Sequence, residues 1–511
     1  MKNNTENNKV KKFSKIAGLI ALILVCLLIC LNILLGLGFE KASAWVPEKF
    51  GEIPFEQILF TVNSSVDGAG EGVIQEIFKK CIQLPLFVAL GSAVFLAFYN
   101  LLLIRFNLNI FRKISIFIFF ICSIGIAWDG FDQFGKTIGF YEYLDDYMNP
   151  STVYEKNYVD PSSLTYTFPT QKRNLIYIYL ESMETSYDDK EHGGAMDISL
   201  IPELSNLATD YTTFNKGKGY EVLSSNGWTV ASLVASTSGA NLKTPIKQDN
   251  TEIEYQFMDG AYTLGEILEK EGYNQVFMCG SDGRFAQRNL YFSQHGNYKM
   301  VDYYYAKDHD YFPKDYHVWW GYEDNKLFDY AKNEILELSK KDEPFNFTML
   351  TVDTHFFNGW LCEDCPRHYR DQYSDVIRCS SKKVSEFIDW IKKQGFYKNT
   401  TIVITGDHLT MDDEWALNHC GDSYKRKAYY SILNSPAEKK ENRERELCAF
   451  DFYPTTLTAL GIQYDGDRVG LGTDLYSTTP TLVEEMGPDK LDKELKRFSR
   501  YYQNHIGREN R

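Results

Sequence analysis

The chain has no cluster of basic residues, no internal repeat, and no second C-x-x-C to match Cys362-Glu363-Asp364-Cys365. The first absence excludes a polyanion-binding surface. Formal charge is −15 overall and −19 over residues 114–511, so nucleic acid is no partner, and any phosphate must be met by a local metal and a few placed cations. The second excludes a solenoid. The third excludes a zinc ribbon, which needs two such ligand pairs.

Long uncharged runs are present instead. Ile16 to Phe39 and Cys81 to Ile104 each run 24 residues without a charge, enough at ~1.5 Å per residue to cross ~30 Å of hydrocarbon. Ile114 to Trp128 is shorter and reaches ~22 Å, so it spans only with help from its flanks or local thinning. Residues 1–15 carry five Lys against Glu6, the 105–113 loop carries Arg105, Arg112 and Lys113 with no acid, and 40–80 has seven acids against four Lys. Positive loops stay inside. Three spans then place everything after about residue 129 outside the cytoplasmic membrane. Ala42-Ser43-Ala44 resembles a signal-peptidase site, but the apolar run before it is too long for an ordinary signal peptide.

The expected organisation is a membrane anchor over 1–128 (spans at about 16–39, 81–104 and 114–128), a juxtamembrane linker over 129–170, an extracytoplasmic domain over 171–478 and a loose charged tail over 479–511. Within the domain, strand and helix patterns alternate. Strands are expected at 174–180, 275–279, 345–352 and 400–405, with Lys427 to Leu433 as a further candidate. Helices are expected from about Pro202, from Thr229, after the Thr263/Glu266 capping box, at 324–339, at 371–394 and after Asp451. Such alternation predicts an α/β fold with a mainly parallel sheet between helices.

Four apolar runs end in chemistry-bearing groups. Asn174 to Leu180 runs into Glu181, Gln275 to Cys279 leads to Asp282, Gly283 and Arg284, Phe345 to Val352 leads to Asp353-Thr354-His355, and Thr400 to Thr405 passes through Gly406, read as a sharp turn, to Asp407-His408. The carboxyl ends of parallel strands are where open α/β sheets place their sites. Taken singly, each is equally a strand ending in a solvated polar turn. Thr229 precedes a small apolar stretch suited to a buried helix; it reads alone as a plain N-cap, or as a hydroxyl where free N–H groups and the helix dipole favour a phosphate. Glu181, Asp407 and His408 with a Thr229 alkoxide would make a four-ligand set for a divalent cation.

Of ten cysteines, Cys26, Cys30, Cys81 and Cys122 lie in or beside the spans and are expected to be apolar packing. On the oxidising side of a membrane at least one disulfide is expected among Cys362, Cys365 and Cys379, with the pairing open.

Leu175 to Ser182, Gly227-Trp228-Thr229-Val230-Ala231, Asp353-Thr354-His355 and Thr405-Gly406-Asp407-His408 together carry a resemblance. The chain looks like the membrane phosphoglycerol transferases of the alkaline phosphatase/sulfatase superfamily, which include membrane-oligosaccharide glycerophosphotransferases and, more distantly, lipoteichoic acid synthases. The likeness covers roughly residues 150–475. It implies that Glu181, Asp407 and His408 bind the metal, that Thr229 is nucleophile and ligand, and that His355 contacts the phosphoglycerol. Asp282, Arg284 and Arg288 become candidate substrate contacts, with a plain Arg salt bridge as the other reading. Ala286 stands where lipoteichoic acid synthases have Trp, whereas Phe285 and Arg288 are kept. Gly280 to Arg284 and His295-Gly296 look more like the oligosaccharide-modifying branch. The C-x-P-x-R motif of formylglycine sulfatases is missing.

The activity implied is transfer of glycerophosphate from phosphatidylglycerol to an envelope glycan or polymer through a phospho-Thr intermediate, with release of diacylglycerol. Mn2+ is the expected cation, with Mg2+ or Zn2+ as alternatives. The rival readings are a phosphoethanolamine transferase or phosphodiesterase of the same superfamily and, from another class, a non-catalytic ectodomain that binds envelope polymer.

Overall fold

The computed structural model describes residues 2–51, 54–63, 73–243, 256–441 and 443–507. The chain divides into two compact units, one of Met1–Phe55 and Gly70–Glu142, the other of Glu56–Ala69 and Tyr143–Arg511.

The first unit contains three helices long and apolar enough to cross a membrane: Ile16–Lys49, Gln75–Arg105 and Asn109–Thr137. The third differs from the expected short span at 114–128. It has 29 residues, about 43 Å at the α-helical rise. The Lys136–Asp132 pair at 2.7 Å, spaced i,i+4, helps carry the helix past the end of the apolar run. Small residues let this helix approach the first one closely, since a Cβ at Gly130 would fall 2.0 Å from the Gly36 carbonyl oxygen.

The second unit is built on a six-stranded sheet of order β3-β2-β4-β1-β5-β6. Its strands are β1 Asn174–Leu180, β2 Asn274–Cys279, β3 Lys299–Val301, β4 Phe345–Leu350, β5 Thr400–Gly406 and β6 Tyr430–Leu433. All pairs are parallel except β5 with β6. Strands β1, β4 and β5 are completely buried, as expected of a parallel sheet covered on both faces. Tyr177, Tyr179 and Val403 face one core with the Thr229–Ser238 helix, and Ile176, Ile178 and Ile402 face another with the Asp324–Ser339 and Gln372–Lys392 helices. Register then sets the position of the site. Tyr179 pairs with both Leu350 and Thr405, and Leu180 pairs with Gly406, so β1, β4 and β5 end side by side.

Three local expectations need correction. Gly406 ends β5 without a positive φ; its need for glycine is close approach, because a Cβ there would lie 2.0 Å from the Met183 carbonyl oxygen. Residues 129–170 are not an open linker: helices run to Thr137 and over Phe140–Met148 and Val153–Asn157, Tyr154 is fully buried, and Thr167 bridges to Gln463. The tail is not loose either. Its Leu482–Met486 and Pro488–Lys496 helices bury Leu482, Val483, Leu491 and Leu495. An i,i+4 apolar pair gives the second of these a docking stripe that its many charges conceal in the sequence.

Candidate active site

Four residues from three separated segments converge at the carboxyl ends of the strands. Glu181 and Asp407 follow directly on β1 and β5. Thr229 is the first residue of its helix; the N-cap is Trp228, so the Thr229 hydroxyl is not used for capping. That hydroxyl lies 3.2 Å from His408 Nε2 and 3.5 Å from Glu181 Oε2. His408 Nε2 is in turn 3.3 Å from Glu181 Oε1 and 3.4 Å from Asp407 Oδ2. Thr229 stays partly exposed while Glu181, Asp407 and His408 are 3 %, 0 % and 1 % exposed, so the hydroxyl is reachable and the charges are not.

Neighbouring groups aim these side chains. Ser182 donates its hydroxyl to Glu181 Oε1 at 2.8 Å and its backbone N–H to Asp407 Oδ1 at 2.8 Å; its φ of 53° is a left-handed conformation rare for a residue with a Cβ. His408 Nδ1 lies 2.7 Å from the Leu409 carbonyl oxygen. A carbonyl only accepts, so Nδ1 carries hydrogen and Nε2 is turned to the carboxylates, the usual arrangement of a metal-binding imidazole.

The donor set fits a divalent cation. Burial and the Glu181 charge push the Asp407 carboxyl up, to about 7. Burial works to raise Glu181 too, but the charge on His408 outweighs it and holds Glu181 down. Burial opposes charging of His408, yet Asp407 and Glu181 together pull it up. Two buried carboxylates thus compete for one positive partner, and Asp407 Oδ2 has no hydrogen bond. Ligand atoms of Glu181, Asp407 and His408 lie within 4.8 Å of one another, a spacing one ion bridges.

His355 stands beside this set. Thr354 donates its hydroxyl to the Glu181 carbonyl oxygen at 2.5 Å and its own carbonyl accepts from the Tyr373 hydroxyl at 2.8 Å, which fixes the loop after β4. His355 Nδ1 donates to the Phe356 carbonyl at 2.8 Å, so Nε2 is the nitrogen left to accept a proton. Burial pulls the imidazole below its usual range, against the opposing charge of Glu181.

The three other predicted contacts sit on the loop after β2. Arg284 binds Asp282 through Nε and Nη2, at 2.8 Å for the shortest contact, and lies 4.7 Å over the Tyr304 ring. Here the salt-bridge reading describes the geometry, and Asp282 is engaged by it. Arg288 is 5 % exposed and donates to Ser281 Oγ, the Asp282 carbonyl and the Phe285 carbonyl. Neither Arg hydrogen-bonds to the four converging residues. His295, in the segment suggestive of the oligosaccharide branch, is buried against Glu266 Oε2 and the Phe257 carbonyl, where it supports the fold. Sequence reasoning missed Ser182, Thr354, Tyr373 and Trp320, whose ring lies 4.8 Å from that of His355. Ser182 and Thr354 adjoin predicted residues and were within reach; Tyr373 and Trp320 carry no local signal.

The same arrangement is reflected in known proteins. Curated relatives include phosphoglycerol transferase I of Xanthomonas axonopodis pv. citri, 32% identical over 48% of this chain and 35% of the relative, and that of Citrobacter koseri, 28% identical over 67% and 45%. The chain therefore spans less than half the length of these relatives. Among solved structures, the lipooligosaccharide phosphoethanolamine transferase A of Neisseria meningitidis aligns over 84% of each chain with a TM-score of 0.49 at 13% identity. The Sulfatase family model matches residues 173–462, from the start of β1 to beyond the Phe452–Ala459 helix and with all four converging residues inside it, and the chain belongs to that family.

Proposed function

We propose that this protein moves a glycerophosphoryl group from phosphatidylglycerol to a hydroxyl of an envelope glycan or polymer, through an ester on Thr229. The observation that carries the reading is a partly exposed Thr hydroxyl at a helix N-terminus, within 3.5 Å of a buried carboxylate and 3.2 Å of an imidazole nitrogen. The catalytic unit faces the outside of the cytoplasmic membrane, in keeping with the charge asymmetry about the three apolar helices.

Thr229, Glu181, Asp407 and His408 would hold one divalent cation, with Mn2+ favoured by three oxygen donors and one imidazole, over Mg2+ and Zn2+. When bound, it supplies Lewis-acid stabilisation of the phosphoryl oxygens and lowers the hydroxyl pKa. Thr229 Oγ1 attacks phosphorus, the bond from phosphorus to the diacylglycerol oxygen breaks, and that oxygen leaves with a proton. An acceptor hydroxyl then attacks the ester while His355 Nε2 takes its proton. Arg288 and Arg284 supply positive charge near the phosphate.

The test is the mass of the peptide containing Thr229 after incubation of the full chain with phosphatidylglycerol or phosphatidylethanolamine, without acceptor. A glycerophosphoryl adduct that is absent from Thr229→Ala supports the reading. An ethanolamine-phosphate adduct transfers it to a phosphoethanolamine transferase, and glycerophosphate release without an adduct to a phosphodiesterase. Inertness with all lipids leaves a binding ectodomain.

A further inference from the structure

The proposed transfer leaves unused the rings packed around His355. The Trp320 centroid is 4.8 Å from the imidazole with the rings tilted 54°, and Phe356 stacks on the imidazole at 4.7 Å and 18°. Phe285 extends the same wall, 5.6 Å from Trp320. These rings come from three segments distant in sequence. Trp319 packs on Trp360 at 6.2 Å, which ties the excursion carrying Trp320 to the loop carrying His355.

These rings are not part of the core. Phe285, Trp320, His355 and Phe356 are each partly exposed, and Phe357 beside them is 36 % exposed. Half-buried aromatic rings gathered on one imidazole form an apolar collar about the nitrogen expected to take the acceptor's proton. Such a collar excludes water, and water is the acceptor's main competitor for a phosphorylated Thr229. A sugar ring fits this surface. One face of a pyranose is lined by C–H groups that pack on an aromatic ring, while its hydroxyls project from the edge towards polar groups. Glycerol has no such face.

We propose that Trp320, with Phe356 and Phe285, is the specificity element that directs the phosphoryl group to the hydroxyl of a pyranose rather than to water; this rests on the transfer reading above. In the step concerned, the sugar oxygen forms the new bond to phosphorus and the bond from phosphorus to Thr229 Oγ1 breaks with its electron pair on Oγ1. The sugar proton passes to His355, and the net proton movement is from acceptor to Thr229. Hydrolysis is the same step with water as the nucleophile.

The experiment uses the full chain in detergent with phosphatidylglycerol and methyl β-glucoside, and measures glycerophosphate released to water against glycerophosphoryl glucoside formed. Both products derive from one adduct, so the ratio does not depend on how much enzyme folds. Trp320→Ala is expected to raise the ratio of hydrolysis to transfer about tenfold, worth about 1.4 kcal/mol between the two barriers, and Trp320→Phe to stay close to the parent. Replacing the glucoside by glycerol should shrink the effect of Trp320→Ala. An unchanged ratio in Trp320→Ala, or an equal effect with glycerol, overturns the proposal while leaving transfer intact. A parent enzyme that forms no Thr229 adduct overturns the transfer reading, and the collar's role with it.

Discussion

The Leu409 carbonyl oxygen holds His408 Nδ1 at 2.7 Å and so commits Nε2 to the cluster of Glu181, Asp407 and Thr229. A cation bound there stabilises the native chain in proportion to its occupancy, by about 2.7 kcal/mol at 100 times its dissociation constant. Metal removal by EDTA should lower the melting temperature of the parent, and added Mn2+ should restore it. Asp407→Asn, which keeps the shape but not the charge, should lose both responses and the bound metal in elemental analysis.

The pH dependence should report His355. Burial holds its imidazole below 6.5, against Glu181, and the proposed role needs Nε2 unprotonated. The acid limb of kcat/KM should therefore lie below pH 6.5, with activity rising as pH rises through it. His355→Gln should abolish that limb and reduce kcat by roughly 10²–10⁴-fold. The sign for stability agrees: the unfolded chain takes the proton first as pH falls, so this histidine's effect is to weaken the fold below its ordinary pKa.

Lys383 reaches Asp353 Oδ2 at 2.9 Å with side chains only 10% and 3% exposed. Asp353 also accepts from the Asp324 backbone N–H, and Asp324 accepts from the N–H groups of Val352 and Asp353. Lys383→Met leaves two buried carboxylates without a counter-charge and should cost about 3–5 kcal/mol in denaturant unfolding. Combining it with Asp353→Asn should recover part of that loss, which a simple packing defect would not.

Cys365 and Cys379 form a disulfide 14 residues apart, so one pairing is chosen from those the sequence left open. Closing a loop of about this length contributes about 3 kcal/mol in the chain-entropy account, and Cys379→Ser should lose that much. Cys362 Sγ lies 3.1 Å from Cys365 Sγ. Peptide mapping of Cys379→Ser should find Cys362 joined to Cys365 in its place.

Much of the site was legible because its residues are adjacent to strong local patterns. The β-branched run before Asp407 and His408, the apolar run before Glu181 and the small apolar stretch after Thr229 each produced the expected element. The helix at Asp324–Ser339 and the capping box of Thr263 with Glu266 were also read correctly. β3, of three residues with one exposed, was too short to leave a period. The ring of Trp320 over His355 and the charge of Lys383 under Asp353 depend on contacts across the chain, which local pattern does not encode. Arg284 could not be resolved between phosphate contact and salt bridge because Asp282 and Arg284 sit two residues apart in either case.

The order of strands also sets a timetable. β1 pairs with β5, and the bond from Asn174 Nδ2 to Thr400 Oγ1 joins residues 226 apart. At about 5–20 residues per second, β1 leaves the ribosome roughly 10–45 s before its second neighbour exists. For that interval a wholly apolar strand has an unpaired edge. The chain must be shielded through this delay by other means, and Glu181 waits through it for Asp407 and His408 to arrive.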